Sequence, residues 1–444
     1  DLGDILVMPT VGQVKMVPGS EEAPETGYRS KFSHDKEVAS PGYYSVMLDS
    51  YGIKAELTAS PRVGFHKYTF PKSDESNIII DPTNKIFGNI YHTLVSVEGN
   101  NKIKGYCYSN GWGGKRFAYF VMEFSKPFKS YGVYADGKIK NDEKIALAKD
   151  AKAFVRFSTE DQESIEVKVS LSPVSTENAQ ENFDTEATNI DFAKAKETAQ
   201  KTWRDLIGRF QVTGGTDSQR KIFYTGVYHT FIAPNLYMDV DKRYRGLDNK
   251  IHVAKDFDYY SVFSLWDTYR GLHPLYTITQ PEKINDIVKS FLAIYQQQGR
   301  LPVWHLMGNE TNTMNGNHSI AVIVDAYLKG YRDYDTNLAY EAIKKTAMQT
   351  RDGMDYVQKL EYIPADKLLE SVGNALEYAI DDYCIALMAK ALNKMDDYNY
   401  FTNTVEGKAL HPESDDLVIR TWQRKHSDFK QKNDANLILN FTIQ

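Results

Sequence analysis

The hydrophobic pattern changes its period once, near Thr176, and no single-layer architecture accommodates both halves. From Gly42 to about Val174 apolar residues recur every second position, as on strands with one buried face. YYSVMLDSYGIKAELTASPRVGFHKYTFP reads as three strands with turns at 49–52 and 59–62. Further strands are expected at 94–98, 104–108, 116–124, 131–134, 153–158 and 164–172, separated by Gly, Asn, Asp, Ser and Pro turns. Short strands punctuated in this way predict an antiparallel sandwich. After Thr176 the spacing becomes helical. Residues 189–210 predict a long connecting helix, and amphipathic helices follow at 218–232, 264–278, 283–297, 319–332, 338–350 and 374–394. The expected fold is therefore an antiparallel β-sandwich followed by an α/α toroid of helical hairpins, with a cleft among the loops at one end. The hairpins are too few to close a ring, so an incomplete toroid is expected. Residues 237–260 interrupt the helices as a long loop or small hairpin. From Thr404 onward no clean period remains. The domain expectation is 1–175 for the sandwich, 176–212 for the linker helix, 213–403 for the toroid portion and 404–444 unassigned.

Composition narrows the class of function. At 444 residues the chain exceeds one typical core. A net charge of -6 gives no electrostatic case for binding nucleic acid or an anionic membrane surface. The lysine-rich runs at 126–129 and 138–152 alternate with Asp and Glu and read as solvated faces. No apolar run reaches the length of a membrane span. The two cysteines, Cys107 and Cys384, have no metal-ligand spacing and read as buried free thiols. The chain opens at Asp1 without a signal-like segment, so a processed protein or a fragment is expected.

Chemistry concentrates between Ser264 and Gly330, in SLWDTYRGLHPLY and QQQGRLPVWHLMGNETNTMNGNHSIAVIVDAYLKG. Aromatic rings beside carboxylates on helix-flanking turns suit a sugar: rings cover its C–H faces and carboxylates accept from its hydroxyls. The candidate binding residues are Trp266, Asp267, Arg270, Trp304, Glu310 and His318. Asp267 is either a helix cap or an acceptor for sugar hydroxyls. Arg270 either pairs with Asp267 one turn away or reaches the sugar. Glu310 is expected in the cleft, and His318 is either a residue of the helix start and core or a site residue. His34 and His66 read as sandwich residues. Taken alone, Asp267 and Glu310 also have the residue types of a glycosidase's paired carboxylates.

These segments resemble glycoside hydrolase family 92. DLGDILVMPTVG, the stretch ETGYRSKFSHDKEVASPGYYSVMLDSYGIKAELTASPRVGFHKYTFP, SLWDTYR, LPVWHLMGNET, the HSIAVIVDAYLKG helix and ALEYAIDDYCIALMAKALNK are each similar to family segments, together covering about Asp1 to Tyr400. The resemblance implies an exo-acting, calcium-dependent, inverting α-mannosidase working on mannose-containing glycans in a periplasmic or extracellular setting. It also implies that the six residues above are binders, catalysis falling to residues further along. There the chain departs from the family pattern. Thr313, Asn315 and Asn317 stand where the family commonly has Cys, Ile and Tyr. The Glu-Gly-Asn-Ala-Trp motif with the general acid and calcium ligands, and the late Asp-rich motif with the base, find no match; Glu406-Gly407-Lys408-Ala409 shares only a Glu-Gly pair. A chain without its catalytic segments, or a non-catalytic glycan-binding or structural piece, is the expectation that follows.

Overall fold

A computed structural model of the chain describes residues 4–86, 88–360 and 362–409, the side chains of 405–409 excepted. The expected unassigned tail thus lies outside the described residues beyond 409, while its first residues prolong a helix, Met395–Ala409.

The first half is an antiparallel β-sandwich. Its strands are β1 (Leu6–Val11), β2 (Glu37–Ser40), β3 (Tyr43–Leu48), β4 (Ile53–Ala59), β5 (Val63–Phe70), β6 (Ser73–Asp81) and β7 (Asn89–Glu98). They continue as β8 (Lys102–Gly111), β9 (Gly114–Phe124), β10 (Ser130–Ala135), β11 (Lys138–Asn141), β12 (Ile145–Ala148), β13 (Lys152–Thr159) and β14 (Glu163–Ser172). One sheet runs β1-β6-β13-β10-β11 and the other β12-β7-β8-β9-β14-β5-β4-β3-β2. Alternate residues of both, among them Ile78 and Ile80 of β6 and Phe120 and Met122 of β9, form the core between them.

The expected strands all appear, and β6 shows why others were not expected. Its SDESNIIID sequence has no alternation because both of its faces are covered. Ile78 and Ile80 point into the main core, whereas Ile79 packs on Val14, Met16, Tyr28 and Phe154. Register in the larger sheet is fixed sterically at Gly105, opposite Val95, where an added Cβ would lie 1.9 Å from the Leu94 carbonyl oxygen.

The expected helix at 189–210 is α2 (Phe192–Ile207), begun by Asp191, whose side chain accepts from Lys194 N–H. A separate helix, α1 (Thr176–Glu186), precedes it, capped by Ser175. Phe183, Ala187, Phe192 and Ala195 of this pair pack on Val63 and Phe65 of β5. The junction is pinned by charge as well. Arg62 donates to Glu186 at 2.6 Å and to the Met238 carbonyl at 2.8 Å. Asp239 accepts from Ser172 and Asn182 at 2.6 and 2.7 Å, and burial raises its carboxyl to about 6. Helix α3 (Asp217–Thr230) starts with a complete capping box between Thr216 and Gln219.

A second compact unit holds α4 (Leu265–Thr268), α5 (Leu272–Thr279), α6 (Ile284–Gln298), α7 (Ser319–Leu328), α8 (Thr336–Ala347), α9 (Met354–Leu360), α10 (Ser371–Ala391) and α11 (Met395–Ala409). The single helix expected at 264–278 is two pieces, because the backbone leaves helical geometry at Gly271 (φ -136°, ψ -62°). Helix α7 is buried all round from Ser319 to Tyr327, and it packs on α5, α6, α8 and α10. Among the described residues no helix is long and apolar enough to cross a membrane.

Two glycine substitutions separate steric from conformational effects. Gly105→Ala should lower Tm sharply, since its Cβ meets backbone on the paired strand. Gly226→Ala, in α3 with open space at the Cβ position, should stabilise by about 1 kcal/mol through helix propensity. Thermal unfolding of both variants checks the pair; equal shifts would contradict it.

Candidate functional site

Three short strands set the geometry of the Ser264–Gly330 segment. Phe263–Ser264 pairs with Trp304–Leu306, placing Ser264 opposite Trp304. Trp304–Leu306 also pairs with Asn309–Glu310, placing His305 opposite Glu310. Glu310 closes this turn from within. Its carboxylate accepts from the backbone N–H groups of Val303, Trp304 and Asn312 at 2.9, 2.8 and 2.9 Å. Such a set of backbone donors rigidifies the loop and uses most of the carboxylate's capacity. Asn312, held by Arg300, takes a left-handed backbone (φ 52°), as does Met314 (φ 70°). Asp267 is exposed in the four-residue α4 and accepts from the Ser264 hydroxyl. It is not the first cap of the helix; Ser264 occupies that place.

Beside this turn lies a cavity of about 470 Å³, walled by Trp266, Asn312, Asn315, Arg351 and Asn374 among others. The indole and the Tyr378 ring, three amides, a guanidinium and the carboxylates of Asp352 and Glu370 make a lining suited to a hydroxyl-rich ligand. Arg351 is aimed by its neighbours, donating to Asn317 at 3.1 Å and pairing with Asp352.

Behind Trp266 a charged cluster ties three helices together. His318, 1% exposed at the start of α7, lies 3.1 Å from Asp381 and 3.1 Å from Glu377, both on α10. The approach to Glu377 is a close ion pair whose angles depart from hydrogen-bond geometry. The imidazole stacks on Tyr269 with ring centres 4.0 Å apart. Burial opposes its charge, but Asp381 and Glu377 outweigh burial and raise it to about 9, so it is an imidazolium at neutral pH. Glu377 in turn is held below the usual carboxylate range: burial works against this, and His318, Arg270 and the Trp266 indole prevail. Arg270 does not pair with Asp267, the first of its two expected roles. Its guanidinium faces Glu377 at 3.9 Å rather than Asp267, and lies over the rings of Trp266 and Tyr269 at 5.9 and 4.9 Å.

Of the six expected site residues, Trp266, Arg270 and His318 converge on Glu377; Trp304 and Glu310 share the three-stranded turn; Asp267 sits on α4. Of the other histidines named above, His66 is half-buried beside Tyr68, where loss of water lowers it to about 4, and His34 pairs with Glu37 at the surface. Sequence reasoning did not single out Glu377, Asp381, Arg351 or Asn374. Glu377 and Asp381 are four apart in ALEYAIDDYC, a spacing that puts two carboxylates on one helix face. The polar departures also find places: Asn315 lines the cavity, Asn317 is buried against Arg351, and Thr313 accepts from Thr311.

With this geometry in view, comparison with known proteins defines the family. The profile described as "Glycosyl hydrolase family 92 N-terminal domain" matches residues 1–172, and that of the "Glycosyl hydrolase family 92 catalytic domain" matches residues 178–409. The chain belongs to glycosyl hydrolase family 92. Its fold is similar to that of the α-mannosidase BT3965 from Bacteroides thetaiotaomicron, solved with mannoimidazole, with TM-score 0.89 and 39% identity over 92% of this chain and 55% of that one. It is also similar to the inverting mannosidase BT2199 of the same organism, with TM-score 0.82 and 28% identity over 91% and 55%. An "uncharacterized secreted glycosidase" of Arthroderma benhamiae is 24% identical over 401 residues, 81% of this chain and 47% of the relative. The chain thus spans about half the length of these relatives.

The described residues do not fit the calcium that the family resemblance implies. A hard cation needs six or more oxygen ligands. Glu377 and Asp381 already face a cation, His318, and among the described residues no group of three His, Cys, Asp or Glu side chains is placed to hold a metal. Calcium therefore enters none of the roles given to these residues.

The His318 cluster makes a pH prediction. Its folded value lies above the ordinary 6.5, so its stabilisation is complete below about 6.5 and is lost as pH rises through about 9. Urea unfolding should show stability falling across that window in the wild type, by on the order of 3 kcal/mol. The fall should be absent in His318→Gln; parallel curves for the two proteins would remove His318 as its source.

Proposed function

We propose that this chain forms the sugar-binding part of an enzyme that releases terminal α-linked mannose from glycans. The observation that carries the proposal is the cavity wall, where one indole, Trp266, stands among Asn312, Asn315, Asn374 and Arg351. Support comes from the 39% identity to BT3965, an α-mannosidase solved with the mannose-like mannoimidazole. In this reading Trp266 covers a C–H face of the sugar, and the amides and Arg351 pair with its hydroxyls. Asp267, exposed beside Trp266, accepts from a further hydroxyl. Glu310 shapes the loop, and Trp304 extends the aromatic surface of the same turn.

Inversion at the anomeric carbon requires a protonated carboxyl on the leaving oxygen and a carboxylate activating water, about 6.5–9.5 Å apart. BT2199 is described as an inverting enzyme, which supports this stereochemistry as part of the proposal. We assign neither role to a described residue. Glu377 is held ionised by its cationic neighbours, the opposite of what a general acid needs. The same observation favours glycan binding without turnover as the second reading for the chain by itself. A secreted setting is supported by the description of the Arthroderma relative.

Titration calorimetry with mannoimidazole and with methyl α-mannoside should detect binding that glucose does not reproduce. Asp267→Ala should weaken it by about 1.5–3 kcal/mol, on the order of tenfold or more, through loss of a charged acceptor. Unchanged affinity would remove Asp267 as a binder. An aryl α-mannoside assay with added calcium separates the two readings: turnover by the chain favours hydrolysis, binding alone favours the second, and absence of both refutes the proposal.

A further inference from the structure

The residue that decides where the cavity's aromatic wall stands is set back from the cavity. Trp266 belongs to a helix of only four residues, entered from a two-residue strand. So short an element leaves the indole rotamer to be chosen by what its side chain meets. Arg270, one turn later, has more than half of its side chain exposed, and a long charged side chain there is costly in entropy to hold in one place. Arg270 is nevertheless directed to the Glu377 carboxylate at 3.9 Å and lies over the Trp266 ring at 5.9 Å, which brings the indole and that carboxylate to one guanidinium.

Glu377 is itself unable to drift. It rises from α10, the 21-residue helix packed on α7, α8 and α11. Its Oε2 lies 3.1 Å from Nε2 of His318, and the other ring nitrogen is fixed 3.1 Å from Asp381, one turn along the same helix. Tyr269 closes the imidazole from the side, stacked at 4.0 Å, and Arg270 covers the Tyr269 ring in turn. The carboxylate is thus anchored on the core side and presents its remaining capacity to Trp266 and Arg270.

We propose that Glu377 is a positioning residue for sugar binding: it fixes Trp266 and Arg270 together at the cavity wall and transmits the rigidity of the α7–α10 pair to them. The proposal rests on the reading of this cavity as the mannose site, but its geometric half is independent of any ligand. It also gives the Glu377–Asp381 pair separate tasks, Asp381 holding the histidine and Glu377 holding the wall.

The test uses the full chain labelled with 5-fluorotryptophan. It has five tryptophans, and Trp266→Phe identifies the relevant ¹⁹F line. Glu377→Ala should shift and broaden the Trp266 line while leaving the other four in place. Glu377→Gln, which keeps an oxygen acceptor facing Arg270 at the same place, should restore most of its position. Affinity for mannoimidazole should fall at least tenfold in Glu377→Ala and by less in Glu377→Gln. An unmoved Trp266 line in Glu377→Ala overturns the positioning role. A moved line with unchanged affinity overturns its link to sugar binding. If the wild-type chain binds no mannoside, the function proposed above fails, and the ¹⁹F spectra still decide whether Glu377 sets the indole. Should Glu377→Ala not fold, Glu377→Asp, which withdraws the carboxylate by one methylene, carries the same two measurements.

Discussion

A charged histidine buried between two carboxylates is the interaction on which the helical half depends. Removing three charges from water is expensive, and the attraction within a cluster offsets that cost only when the geometry is good. Here His318 lies at 3.1 Å from each partner and is covered by Tyr269. Loss of one partner would leave an uncompensated buried charge, so the cluster couples the start of α7, the middle of α10 and the loop carrying Tyr269 and Arg270. Three segments distant in sequence acquire one defined arrangement. The cavity wall inherits that order.

The turn at Glu310 solves a related problem with the opposite economy. A loop that must expose amides to a ligand cannot also satisfy all its backbone donors with strand partners. Glu310 supplies acceptors to Val303, Trp304 and Asn312, so the loop is rigid without being regular. Asn312 reaches the cavity on a left-handed backbone that asparagine tolerates better than most residues, and Asn315 lines the cavity beside it. Two acidic residues that look equivalent in sequence, Asp267 and Glu310, thus differ: one is exposed beside the wall, and the other is absorbed into the loop.

Much of the fold was legible because period and burial agree. Strand β4 alternates at its start, with Ile53 and Ala55 buried and Lys54 exposed, because one face lies in the core. Strand β6 escaped because Ile78 and Ile79 are buried on opposite faces, which erases alternation. Helix α9, with 7 residues, carries too few turns for a period to emerge, and only three residues separate the end of α10 from the start of α11 at Met395. The break between α4 and α5 was hidden because apolar spacing continues across Gly271 while the backbone does not. In the site, Trp266, Arg270 and His318 stood out by residue type and neighbourhood. Glu377 did not, since a glutamate on a long amphipathic helix usually faces water.

The sequence by itself determined the order of the two architectures, the membership of the chain in its family, and the segment that carries the aromatic and acidic residues. These follow from local periodicity and from residue types at fixed spacing, which need no knowledge of distant contacts. Only the tertiary structure decided the roles of the charged residues. Arg270 turns from Asp267, three positions away, to Glu377, 107 positions away, and Glu310 turns inward to its own loop. Charge pairing depends on distance and burial in space, and those are set by the packing of α7 on α10 rather than by separation along the chain.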